Sequence, residues 1–214
     1  MKKQSYQKIL QLHIQEHSSI YLFITVLFFM GVIFGSIVVN SLSFSQKQDL
    51  FYYLSRFFEQ VSEGKFASSK DKFIESYLQN IKYIGLIWLL GVSIIGLPLI
   101  LVLLFLKGVV VSFTVGFLVN QMEAKGLLLS FISIFPQNLL VIPSFIIIST
   151  LAVTFSLKMI RQQFIKKFNQ QIFPLFMRYS LVMVVIMIVL LVASAFEAFI
   201  SPVLMKNVLE VITK

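Results

Sequence analysis

Cysteine is absent from the 214 residues, so disulfides, Cys-ligated metals and thiol chemistry are excluded, while the redox compartment stays undecided. Histidine occurs twice, as His13 and His17. Their i, i+4 spacing can grip zinc on a helix, but no further ligand is near and the HExxH order is missing. Nucleophile-elbow, P-loop and GxGxxG patterns are missing too. Asp49 and Asp71 lie in one hydrophilic segment, so no aspartate pair is available inside a bilayer. No catalytic residue, metal site or cofactor site is therefore expected, and no enzymatic activity. Charge is the most telling absence. Residues 21–40 (YLFITVLFFMGVIFGSIVVN), 83–106, 127–157 and 179–196 contain no Asp, Glu, Lys or Arg.

What fills those runs is apolar. Hydrophobic residues make up 58% of the chain, and the mean hydropathy is +0.91. About 20 such residues cross a bilayer core of roughly 30 Å as a helix. The expected fold is all-α: a polytopic membrane helical bundle of about five transmembrane helices. It has one broken or re-entrant segment near Pro136 and interfacial amphipathic helices. The net charge of +9 raises nucleic acid as a partner, but its placement argues against that. Lys158, Arg161, Lys166, Lys167 and Arg178 share one acid-free loop between apolar runs, which is the positive-inside pattern of a cytoplasmic loop. The apolar run beginning at Tyr21 is longer than a signal-peptide core and no small-x-small cleavage site follows it, so it reads as an uncleaved first span.

The spans divide the chain. Residues 1–19 read as a cytoplasmic segment with a short helix on the inner leaflet, and 20–40 as the first span. Residues 41–82 carry six bases and five acids, so this near-neutral segment belongs outside. Within it Leu50, Leu54, Phe57, Phe58 and Val61 recur at helical spacing, predicting an amphipathic helix over 46–62 that Gly64 ends. Spans are expected at 83–106, at 108–120 (short), at 139–157 after a short outer or re-entrant helix at 127–135, and at 179–200. Lys107 is placed at the inner interface, 158–178 is the basic cytoplasmic loop, and 203–214 is an outer tail.

Particular residues then carry expectations. Phe51, Phe57, Phe58 and Tyr77 belong to a dense aromatic set that either caps the bundle or docks a partner. Gly31 and Gly35 form GxxxG, and Gly108, Ser112 and Gly116 recur every four residues. Such stripes let helices approach within the chain, or between two copies in a homodimer. Glu197 is the one acid inside an apolar span. It reads either as an ion site or subunit contact, or as a carboxylate near the helix end bonded to a backbone amide or serine. Pro136, Gln137 and Asn138 mark a helix break that must be satisfied by protein or a polar cavity.

Five segments carry a resemblance: SYQKILQLHIQEHSSIYLF (5–23), FFMGVIFGSIVVNSLSFSQKQDL (28–50), IIGLPLILVLLFLKGVVVSFTVGFLVNQM (94–122), FPQNLLVIPS (135–144) and SAFEAFISPVLMK (194–206). With them the chain resembles the stage II sporulation protein M family of endospore-forming Firmicutes. A wider group of similar proteins has Pro-His-Gly at the helix break, followed by a glutamate and a proline. Here Gln137 stands for the histidine, Asn138 for the glycine and Val141 for the glutamate, so any role of that His/Glu pair does not carry over. Glu197 matches. The resemblance implies a scaffold in engulfment, in the cell membrane at the sporulation septum and the engulfing mother-cell membrane. It would recruit the peptidoglycan-degrading stage II sporulation proteins P and D. Composition alone leaves two other readings open: a transporter or channel lined by Glu197 and the Pro136 break, and a permease-like subunit using the basic loop.

Overall fold

The computed structural model describes residues 17–62, 69–93, 95–164 and 172–212, and their regular structure is helical. The expectations for residues 1–16 with His13, for Gly64, and for Lys166 and Lys167 lie outside the described residues. In order, the chain forms α1 (Ser18–Ser41), α2 (Phe44–Ser62), α3 (Ser69–Val92), α4 (Gly96–Ser133), α5 (Phe135–Phe164) and α6 (Ile172–Ala195). A π-helical turn (Phe196–Ile200) and α7 (Ser201–Ile212) complete it. Ser18–Ser41, Gly96–Ser133, Phe135–Gln162 and Phe173–Lys206 are long and apolar enough to cross a membrane. The molecule is a polytopic helical membrane bundle. α3 runs through the same bundle, burying Ile84 and Ile87, but Lys72, Glu75 and Lys82 make its first half less apolar.

α1 illustrates why lipid is the solvent. Ile24, Phe28, Gly31, Gly35 and Val39 form one buried stripe. Leu22, Phe29, Ile33 and Ile37 on the other side are more than half exposed. A helix apolar all round that buries only one stripe needs an apolar medium for the rest. The buried stripe lies against α4, which runs parallel to it. A Cβ at Gly31 would strike the Phe105 carbonyl, one at Gly35 the Val109 carbonyl, and one at Gly108 the Phe28 carbonyl. Ser36 Oγ and Ser112 Oγ share a hydrogen bond of 2.8 Å, and Gly116 faces Val39. The small-residue stripes are thus spent on a contact inside one chain.

The core lies between α3, α4, α5 and α6, around Ile84, Ile100, Leu104, Phe145, Ile148 and Leu190. Buried hydroxyls tie it together. Tyr179 donates to the Trp88 carbonyl at 3.1 Å, and Ser156 donates to the Gly91 carbonyl at 2.7 Å. The second bond pins the end of α3, where the chain reverses.

That reversal corrects two expected spans. Residues 83–106 are divided, because α3 ends at Val92 and α4 starts at Gly96, with Ser93 N–H bonded to Leu90 O (3.0 Å) and Gly96 N–H to Ser93 O (3.2 Å). Gly96 sits on the Leu90 carbonyl, where a Cβ has no room. Pro98 falls in the first turn of α4, where its missing N–H costs nothing. A turn closed by its own backbone bonds needs no charged residue to mark it. The 108–120 stretch is accordingly no separate short span but the continuation of α4. Lys107 is moved as well. It stands mid-helix in α4, one residue before the Gly108 that packs on Phe28, with Nζ 5.0 Å from the Phe145 ring centroid, and not at an interface.

Beyond the crossing, α4 kinks at Glu123, whose φ of 52° is left-handed, a conformation uncommon for a non-glycine residue. Gly126 then lies against the Leu118 carbonyl, too close for any side chain, so 124–133 doubles back as a short arm. The break expected at Pro136–Asn138 falls instead at Ile134. Pro136 opens α5, again as a first-turn proline. Likewise Ser201–Pro202 does not stop the last span. The chain passes through the π turn into α7, and the expected tail from 203 is helical to Ile212.

Candidate functional site

One end of the bundle holds a cavity of about 430 Å³. Its polar floor comes from four elements. α3 contributes Lys72, Ser76 and Gln79, which sit at i, i+4 and i+7 and so share a face. α4 adds Thr114 and Ser133, α5 adds Gln137, and the π turn adds Glu197. Leu54, Phe57 and Phe58 of α2 form an apolar wall.

Glu197 is the centre of the polar network. Ser76 Oγ donates to its Oε2, and Ser76 Oγ also lies 3.2 Å from Ser194 Oγ. The Gln137 amide, oriented as a carboxylate requires, donates from Nε2 at 2.6 Å to Oε2 and 3.2 Å to Oε1. The π turn helps to aim this carboxylate. One extra residue per turn widens the helix, and Glu197 engages α3 while the adjacent Ala198 is buried. Two cations feel the carboxylate, Lys72 and Lys107. Burial pulls the Lys72 ammonium below its ordinary range, and the negative charge of Glu197 opposes that shift. The arrangement can hold a negative charge at depth, since a carboxylate with two donors and nearby cations is compensated.

Of the residues singled out from sequence, Glu197 and Gln137 meet in the polar floor, and Phe57 and Phe58 stand in the apolar wall. Asn138 does not join them. It is buried and turned back on its own helix start, donating from Nδ2 to the Ile134 carbonyl at 2.9 Å. The aromatic set splits between the two roles expected of it. Phe51 and Phe57 are exposed on α2. Phe58 packs inward against Leu129, and Tyr77 is turned against the core, stacked on Phe73 at 6.0 Å. The reason is periodicity: Phe58 continues the inward Leu54 face, and Tyr77 is on the core side of α3. Sequence reasoning missed Ser76 and Lys72 as members of the site. The Lys72, Ser76, Gln79 stripe was a usable signal, a polar face at helical spacing leading into an apolar run. Among the described residues no group of three or more His, Cys, Asp or Glu converges on a metal-sized site.

A family model described as stage II sporulation protein M matches residues 24–202. This is most of the chain, and the chain belongs to that family. No significant match was found among curated proteins or among solved structures.

Proposed function

We propose that the protein is a non-enzymatic integral membrane scaffold of engulfment. It holds peptidoglycan-degrading partners, the stage II sporulation proteins P and D, at the sporulation septum so that the septal wall is thinned. In this reading the basic loop faces the mother-cell cytoplasm and α2 faces the wall. Family membership supports the sporulation setting. The observation that carries the docking step is the amphipathic character of α2. Leu50, Leu54 and Phe58 are partly buried toward the bundle, while Phe44, Tyr52, Tyr53 and Phe57 stand exposed. Exposed aromatics are among the side chains enriched at protein interfaces.

Replacing Tyr52, Tyr53 and Phe57 together with serine tests this. The expected result is loss of the septal focus of a fluorescent partner and stalled engulfment, with unchanged membrane levels of the variant. Normal partner foci in cells carrying the triple variant would contradict the docking step. The cavity at Glu197 favours a second reading, passage of an ion or small solute, which the Glu197 variants discussed below separate from the first.

A further inference from the structure

The opposite end of the bundle carries a second, smaller cavity of about 130 Å³. His17 at the start of α1, Lys158 on α5 and Arg178 on α6 line it. No carboxylate among the described residues does. The local fold explains the convergence. Thr154 and Lys158 are one turn apart on α5, and Arg178 faces them from the second turn of α6, beside the buried Tyr179 ring. Cations therefore rim a pocket whose deeper wall is apolar.

Thr154 adds an independent observation. It is only 7% exposed, and its buried hydroxyl has no hydrogen-bond partner. A helical threonine commonly bonds back to the carbonyl one turn earlier, as Thr150 does to Ile146 at 2.8 Å. Thr154 does not, although it lines the cavity. A buried donor left unmade is costly and calls for an acceptor. A ligand suited to this cavity accepts hydrogen bonds, carries negative charge and is small enough for the space. A phosphate meets all three requirements, and an arginine fork suits its oxygens.

The surroundings say where that phosphate comes from. Leu181, Val184 and Val185, on α6 beyond the pocket, are half or more exposed and offer an apolar track away from it. Basic pockets between membrane helices recognise lipid headgroups in this way. We propose that this cavity binds the phosphate of an anionic phospholipid, with Arg178, Lys158, His17 and the Thr154 hydroxyl as its donors and the acyl chains running along α6.

The test uses the purified full-length protein in detergent, with phosphatidylglycerol, phosphatidylcholine or inorganic phosphate added. Phosphatidylglycerol should raise the unfolding temperature by several degrees, and the other two should not. Lys158→Ala with Arg178→Ala should weaken phosphatidylglycerol binding about fivefold for each cation removed. Thr154→Val should weaken it too, while leaving the lipid-free protein as stable as before or more so. That split keeps the test open if the double variant does not fold, since a purely structural hydroxyl would lower the lipid-free value. Equal stabilisation by phosphatidylcholine, equal stabilisation by inorganic phosphate, or an unchanged phosphatidylglycerol response in Thr154→Val would overturn the proposal.

Discussion

Gly31→Leu should leave almost no folded protein in the membrane fraction. A side chain at this position meets the Phe105 carbonyl, which is backbone and cannot rotate away. α1 and α4 would have to separate. Lipid is as apolar as the lost contact, so no hydrophobic gain replaces the close packing. Separation also breaks the Ser36–Ser112 bond and uncovers Ile24, Phe28 and Val39. We expect a loss of about 3–5 kcal/mol, the upper end for an overpacked site. Gly108→Leu should match it, because its obstacle is the Phe28 carbonyl. Gly116→Ala is the control. Its nearest neighbour is the Val39 side chain at 3.6 Å, an ordinary contact, and the change should cost less than about 1 kcal/mol. Reversible unfolding in mixed detergent measures all three. Equal effects at Gly31 and Gly116 would show that close backbone approach does not hold the two helices.

Glu197→Ala should be the other large effect, and larger than Glu197→Gln. The alanine leaves the Gln137 amide without its acceptor and the Ser76 hydroxyl with only the longer bond to Ser194, and removes the carboxylate that acts on Lys72 and Lys107. An orphaned donor plus uncompensated charge costs about 2–4 kcal/mol. Glutamine keeps an acceptor oxygen and the shape, so we expect about half that loss. Adding Lys107→Met to Glu197→Gln should recover part of it, since the cation then no longer needs an anion. Equal, negligible losses for alanine and glutamine would remove Glu197 from the structural network. The same glutamine variant separates the two functional readings. A scaffold keeps partner recruitment with Glu197→Gln, whereas a pathway through the cavity loses flux in proteoliposomes.

How much of this was legible beforehand varies by element. Runs without charge located the apolar helices, because twenty apolar residues have few other physical outcomes. The α1–α4 contact was half visible. Gly31, Gly35, Gly108 and Ser112 announced close approach, but nothing in their spacing says whether the partner helix belongs to the same chain. The reversal between α3 and α4 was invisible to hydropathy, which cannot distinguish a turn of uncharged residues from a helix of them. That oversight displaced Lys107 from mid-helix to a boundary. The site was legible in Glu197 and Gln137 and opaque in Ser76, because a contact across more than a hundred residues depends on tertiary packing. Asn138 shows the converse: a polar residue beside the site that serves only its own helix turn.

The central claim is that α2 and the Glu197 cavity face the wall while the Lys158–Arg178 end faces the cytoplasm. The chain has no cysteine, so single cysteines report on it directly. Tyr53→Cys, at a position 70% exposed on α2, and Arg161→Cys, at an exposed position of α5, would be treated in intact mother-cell protoplasts with a membrane-impermeant maleimide. The account predicts labelling at 53 without permeabilisation and at 161 only after it. The reverse pattern would turn the bundle over in the membrane and contradict the scaffold model.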